Sequence, residues 1–281
     1  MSMMTDCRVS NQHDADNVLN ATAVNFGNDG KMIVLPVPGV SGDLKNVCVR
    51  LADSVTQRNS ARMLINKMYA WRGYGENHNI PARPTHSTFT ASDGDILIGT
   101  LTLAVDSHTG LAADAIFQEE IDVFRRQSGA KVCELTKLAF NSTVPSKPML
   151  AALFHIVFIY GQRKHRCTDL FIEVHPRHRR FYQAMLGFKP IGEVKINTSV
   201  NAPAQLMVLK IAQIREKINQ YAGQGDSASA RSLYPFFFSP REEDGIYNRF
   251  DTPQTEIERE FRAMPFLSSA MQKPNVQAIS C

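Results

Sequence analysis

The chain reads in two periodicities. Residues 46–51 (NVCVRL) alternate apolar and polar at every step, the period of a strand with one buried face. From Ser54 the period lengthens. Ser54 and Gln57 have the spacing of a capping box, in which each side chain satisfies a free backbone N–H at a helix start. Ala61, Leu64, Ile65, Met68 and Tyr69 follow at helical spacing, and Gly73 and Gly75 end the helix. Residues 85–91 and 96–106 predict strands joined by the turn Ser92-Asp93-Gly94-Asp95. The second strand places Leu97, Leu101, Leu103 and Val105 on one face. Residues 114–127 predict a helix with Ile116, Phe117, Ile121 and Phe124 inward and Gly129 just past its end. Strands are expected at 131–140, 169–175, 190–198 and 205–211. Between them lie an apolar helix over 149–165 and a short helix over 179–186, closed by Gly187.

The resulting order, β-α-β-β-α-β-α-β-α-β-β, is that of a mixed α/β layer protein. Residues 1–43 read as an irregular N-terminal extension with a short strand at 32–37, and 44–211 as the domain proper. Residues 212–281 read as a C-terminal helix, a Gly/Ser linker (AGQGDSAS) and a tail with a short helix at 255–262. The tail carries Phe236-Phe237-Phe238, a liability if exposed. These rings are expected to pack on the domain or on a partner, including a second copy of the chain.

Composition narrows the class. With 281 residues and 43% hydrophobic positions the chain can bury a core, and a net charge of +4 does not by itself argue for nucleic acid. The five cysteines lie far apart with no CxxC pair, which fits reduced thiols rather than a zinc ribbon or a redox motif. The N-terminus has no apolar signal-like region. The most apolar stretch, 150–160, is about half a membrane span and contains His155. A cytoplasmic protein without an integral membrane segment is expected. Charge is uneven, however. Residues 161–180 hold Arg163, Lys164, Arg166, Arg177, Arg179 and Arg180 against Asp169 and Glu173, a surplus equal to that of the whole chain.

Short motifs add chemistry. Residues 172–188 read IEVHPRHRRFYQAMLGF, a strand, a Pro-Arg-His turn, a short helix with Phe181-Tyr182, and Gly187-Phe188. YAWRGY (69–74), GLAAD (110–114), ELTKLA (134–139) and VNAPA (200–204) lie in register with it. Together they resemble the N-acyl amino acid synthase family, GNAT-type acyltransferases related to the acyl-homoserine lactone synthases. The resemblance covers about residues 44–211. It implies a GNAT-like α/β fold with helices on both sheet faces. It also implies transfer of a fatty acyl group from a phosphopantetheine thioester to an amino acid amine. The implied co-substrate is acyl-ACP, or else acyl-CoA, with no permanently bound cofactor, so acyl carrier protein is the expected partner. One feature of the residues bears on the donor. Ordinary GNAT enzymes grip coenzyme A pyrophosphate with a Gly-rich turn at a helix N-terminus. Here 141–150 (NSTVPSKPML) has no glycine and two prolines, which removes N–H donors and favours a carrier-bound arm. A diverged coenzyme A site using Ser146 and Lys147 is the alternative.

Amine attack on a thioester needs a base for the ammonium proton and donors for the oxyanion. Glu134, a carboxylate in an apolar strand, is the candidate base, and the lactone synthases carry Glu at the corresponding position; pairing with Lys137 or an Arg is the structural alternative. Glu134 and Lys137 share a face only if a β-bulge lies between them, and one is expected. Lys137 stands where the lactone synthases have Arg. Tyr182 resembles the GNAT tyrosine that protonates the leaving thiolate, or else serves as a core aromatic. Trp71, Arg72, Lys137, Arg177 and His178 are candidate substrate contacts. Leu150, Leu153, Phe154 and Val157 are candidates for an acyl pocket, or simply a helix core. Arg163, Lys164, Arg166, Arg179 and Arg180 are candidates for docking an acidic carrier. His175 replaces an expected Asn, and with His178 has metal-ligand spacing but no further ligand, so no metal is expected. An acyl-homoserine lactone synthase and a non-catalytic acyl-ligand or carrier-binding module remain open as alternatives.

Overall fold

The computed structural model describes residues 32–38, 44–141 and 146–251. The strands are β1 (Met32–Pro38), β2 (Leu44–Leu51), β3 (His86–Asp93), β4 (Ile96–Val105), β5 (Val132–Phe140), β6 (Asp169–Val174), β7 (Lys189–Asn197) and β8 (Ala202–Lys210). The helices are α1 (Val55–Ala70), α2 (Asp114–Arg125), α3 (Lys147–Ile159), α4 (Arg179–Leu186), α5 (Ile211–Tyr221) and α6 (Pro240–Asp251). The strands form one sheet in the order β1-β2-β3-β4-β5-β6-β8-β7. Only β5 and β6 pair in parallel, joined by the crossover through α3.

Local signals explain most elements. α1 starts at the expected capping box: Gln57 N–H donates to Ser54 Oγ, and Gln57 Oε1 accepts from Ser54 N–H. Gly187 closes α4 with φ of 86°, a left-handed conformation that suits glycine. On β4, Leu101 and Leu103 face the larger core as expected, but Leu97 does not. The β3–β4 register slips between Ala91 and Ser92, so that Ile98 packs on that core instead.

Two cores lie on opposite faces of the sheet. On one, α2 sets Phe117 and Ile121 against Ala104, Phe171, Leu206 and Val208. On the other, α3 lies over Leu103, Cys133, Leu135 and Leu170. Every residue of α3 from Met149 to Ile159 is buried. A helix apolar all round needs cover on every side. The sheet covers one side, and the C-terminal segment supplies more, with Leu233, Tyr234, Phe237, Phe238, Ile246 and Phe250 all in this core. The helix expected to run to 165 instead widens into a π-helical turn at Tyr160–Lys164.

Three features refine the expected layout. The strand assigned to an N-terminal extension pairs with β2 along its length, so among the described residues the sheet includes Met32–Pro38 as well as the strands from residue 44 on. Of the two places expected for the Phe-rich segment, Phe237 and Phe238 take the domain, where both are buried, and Phe236 is half-buried beside them. Helix α6 was not expected from hydropathy. It is largely polar, and its start is fixed by Pro240 and by Ser239, whose N–H and hydroxyl both donate to Glu242 Oε2. The expected helix at 255–262 lies outside the described residues. Among the described residues, no helix is long and apolar enough to cross a membrane.

Candidate active site

The site is built where β5 and β6 part. Their pairing runs from Val132–Asp169 to Leu135–Ile172 and stops, although β5 continues to Phe140 and β6 to Val174. The cause lies in β5. Between Thr100 and Thr102 of β4 its register slips, and Lys137 takes φ of 56°. Left-handed backbone at a non-glycine residue is strained. Here the Thr100 hydroxyl holds it by donating to the Lys137 carbonyl at 2.9 Å. A bulge is present, but at Lys137–Leu138 rather than between Glu134 and Lys137 as expected.

Glu134 lies just below this gap on the α2 side, 2% exposed. Its Oε2 accepts the N–H groups of Ala112 at 2.9 Å and Ala113 at 3.3 Å. Burial pushes its pKa up to about 7; the Ala113 donor opposes the rise and the charge of Glu173 adds to it. Its partners are thus backbone groups, not Lys137 or an arginine. The GLAAD segment exists to present them. Gly110 has φ of 70°, and a Cβ there would meet Asp114 Oδ2 at 2.5 Å. That same oxygen accepts Leu111 N–H at 2.7 Å, and Arg125 grips Asp114 and Asp106 with two hydrogen bonds each, and Asp122 with one.

Lys137 is half-buried. Burial lowers its pKa against the nearby charge of Glu134, which places the two side chains in one neighbourhood. Around the open end stand further candidates. Burial pushes the Tyr182 phenol up to about 12, with the Arg72 charge opposing. The Tyr182 ring meets Phe181 and Phe188 edge-on. Arg72 donates to the Met68 carbonyl, and its guanidinium lies over the Trp71 ring at 5.4 Å. Trp71 is 76% exposed. His175 Nδ1 accepts Arg177 N–H, and Arg177 Nε donates to His178 Nε2 at 3.1 Å. His175 thereby caps the turn that leads into α4. The pKa of His178 is lowered by burial and by Arg177.

Two groups of expected residues divide. Phe154 and Val157 line an apolar cavity of about 20 Å³ under α3, whereas Leu150 and Leu153 are buried outside it. The basic residues do not form one patch. Arg163, Lys164 and Arg166 precede β6, and Arg177, Arg179 and Arg180 follow it. Six residues of strand, about 20 Å, hold the groups apart. Arg163 is also tied to Asp244 and Glu243. Only the second group is at the open end, with the exposed Lys147 at the start of α3.

Glu173 is a site residue that the pattern of charges hid. It shares a β6 face with the fully buried Phe171, its carboxyl pKa is raised by burial, and Asn197 Nδ2 donates to it at 2.6 Å. A carboxylate two residues from a buried Phe on one strand face was the available signal.

Comparison with known proteins identifies the family and the fold. Residues 60–210, more than half the chain, match the family of the N-acyl amino acid synthase FeeM. Among solved structures, FeeM from uncultured soil microbes is 28% identical, with a TM-score of 0.56 over 61% of this chain and 95% of that one. The acyl-homoserine lactone synthase LasI is 11% identical, with a TM-score of 0.47 over 59% and 91%. An acyl-CoA N-acyltransferase from Pseudomonas aeruginosa is 13% identical, with a TM-score of 0.42 over 58% and 98%. None of the curated proteins matches the sequence significantly. The fold is that of the GNAT-type acyltransferases, and the chain belongs to the N-acyl amino acid synthase family.

Proposed function

We propose that the protein transfers a fatty acyl group from an acyl carrier protein thioester to the amine of an amino acid. The observation that carries this reading is Glu134, a buried carboxylate hydrogen-bonded, among the described residues, by backbone N–H groups and poised near neutrality beside a gap in the sheet. An amino acid arrives as an ammonium and must lose a proton to attack. A carboxyl with a pKa of about 7 is charged in a large fraction of molecules at neutral pH, yet basic enough to accept that proton, directly or through water. The neutral amine adds to the thioester carbonyl. The oxyanion is assigned to backbone N–H groups of the bulged Lys137–Leu138 segment. Collapse breaks the carbon–sulfur bond. The thiolate takes a proton from Tyr182, a phenol that stays protonated at neutral pH, and the second proton of the attacking nitrogen passes, directly or through water, to the Tyr182 phenolate. Glu173, Arg72 and His178 are placed to orient the acceptor.

The carrier is favoured over coenzyme A by the start of α3. Pro148 has no N–H, the Met149 N–H is spent on Ser146 Oγ, and the Leu150 N–H on the Ser146 carbonyl. Among the described residues of this turn, few donors remain for a pyrophosphate. The exposed Lys147, Arg177, Arg179 and Arg180 suit an acidic carrier instead.

The test offers acyl carrier and acyl-CoA donors with each of the twenty amino acids and identifies products by mass spectrometry. An N-acyl amino acid is expected, formed faster from the carrier and lost in Glu134→Gln. No product above the Glu134→Ala background overturns the reading. A product labelled from S-adenosylmethionine redirects it to a lactone synthase.

A further inference from the structure

The C-terminal segment lies beyond the residues that match the family, which end at 210. Yet it completes the apolar cavity. One wall is the sheet, with Leu135 and Leu170; another is α3, with Phe154 and Val157; the tail closes it with Tyr234 and Phe237. Leu135 belongs to the last β5–β6 pair, so one residue of the cavity wall stands at the edge of the gap. Glu134 and Leu135 point to opposite faces of β5. A thioester seated in the gap would therefore meet its amine on the α2 face and send its hydrocarbon to the α3 face.

The tail rings are held by polar contacts as well as by packing. Tyr234 Oη donates to the Leu186 carbonyl at 2.6 Å. Phe237 stacks on His155 at 4.5 Å between ring centres, and the next N–H, of Phe238, donates to His155 Nδ1 at 2.9 Å. The Phe237 carbonyl accepts Gly223 N–H, and the Met185 carbonyl accepts Leu233 N–H. The strand residues opposite are locked in the sheet ladder. Phe237 lies outside any helix or strand, after the short turn Tyr234–Phe236, and so is the wall whose side chain can be changed without breaking the sheet ladder. At about 20 Å³ the cavity holds about one water. The number of carbons it accepts depends on where those two rings stand.

We propose that Tyr234 and Phe237 form the end wall of the acyl pocket and set the length of fatty chain the enzyme accepts. This rests on the fatty-acyl reading above. No redox or covalent step is involved; the occupant is the hydrocarbon of the thioester, held by exclusion from water.

The test measures kcat/KM for a ladder of saturated acyl carrier thioesters from hexanoyl to octadecanoyl, in full-length wild type, Phe237→Ala, Phe237→Leu and Phe237→Trp. In parallel, saturated fatty acids of the same lengths displace a fluorescent polyene fatty acid, which reads the pocket without turnover. Phe237→Ala is expected to move both optima longer by about two to four carbons, the room left by a ring in a close-packed interior. Phe237→Leu should move them less, and Phe237→Trp should move them shorter. If Phe237→Ala does not fold, as judged by circular dichroism, the leucine and tryptophan variants decide. A purely structural role would lower every chain length by one common factor, and folded variants with that result overturn the proposal. A wild type that makes no N-acyl product but shows the displacement shifts overturns the fatty-acyl transfer and leaves the wall standing.

Discussion

Glu134 and Glu243 are both carboxylates cut off from water, at 2% and 0% exposure, and they titrate in opposite directions. Glu134 has only backbone donors, and burial wins, lifting it to about 7. Burial pushes Glu243 upward too, but hydrogen bonds from His155 and Arg215 outweigh it and hold the acid at about 2. Both Arg215 and Arg163 bond to Glu243, and Gln162 accepts from Arg215. His155 is neutral in this arrangement: Nδ1 accepts from Phe238 and Nε2–H donates to Glu243. Burial also lowers its pKa. The charge partners, more than the burial, separate a carboxylate fit for proton transfer from one that fastens the tail to α3 and α5.

The largest way to break the pair is chemical. Glu134→Gln should reduce turnover by about 10²–10⁴-fold, the usual worth of a positioned base, while the circular dichroism spectrum is unchanged. At pH above 7 the same variant should be more stable by up to about 3 kcal/mol, because a buried charge is gone. Glu243→Ala is the mirror experiment. It strands Arg215 and Arg163 around a void and should cost about 3–5 kcal/mol in urea unfolding, without shifting the pH dependence of kcat/KM in the protein that remains folded.

Titration sharpens the contrast. The Glu134 pKa is raised, so the stability its protonated form confers is complete below the unfolded value near 4.5 and is lost as pH rises through about 7. Activity should rise over that same upper range. The Glu243 pKa is depressed, so its contribution is present above about 4.5 and is lost as pH falls through about 2. A pH series of kcat/KM and of thermal melts separates the two limbs. Gly110→Ala should act on one side only. The left-handed backbone and the Asp114 contact predict about 1–3 kcal/mol of destabilisation and a shift in the activity pKa, as the Ala112 and Ala113 donors move. The smallest effect is expected from Ser239→Ala, about 1 kcal/mol through loss of the α6 cap, read in a melt and absent from the activity profile.

The Glu134 half of this comparison was legible in the sequence. A carboxylate in KVCELTKLAF stands out against its neighbours, and the GLAAD glycine marks a turn that turns out to carry its donors. The Glu243 half was not. Its partners, His155 and Arg215, lie 88 and 28 positions away, and no local period encodes contacts of that separation. α6 was readable in principle, since Ser239-Pro240-Arg241-Glu242 has the same S-x-x-E spacing that marks α1, but its polar composition gives hydropathy nothing to detect. Glu173 was obscured by counting it as charge rather than asking which strand face it occupies. The basic run of 161–180 misleads for a geometric reason: the strand inside it carries its two halves to opposite ends of β6.

The dependence of α3 on a cover made so much later has a consequence for synthesis. A ribosome adding about 5–20 residues per second completes α3 several seconds before Glu243 emerges, and then α6 beyond it. Throughout that interval an eleven-residue run of buried side chains, Met149 to Ile159, has only part of its final shelter. The nascent chain thus passes through a stage in which its family-matching portion is complete and the cover of α3 is not.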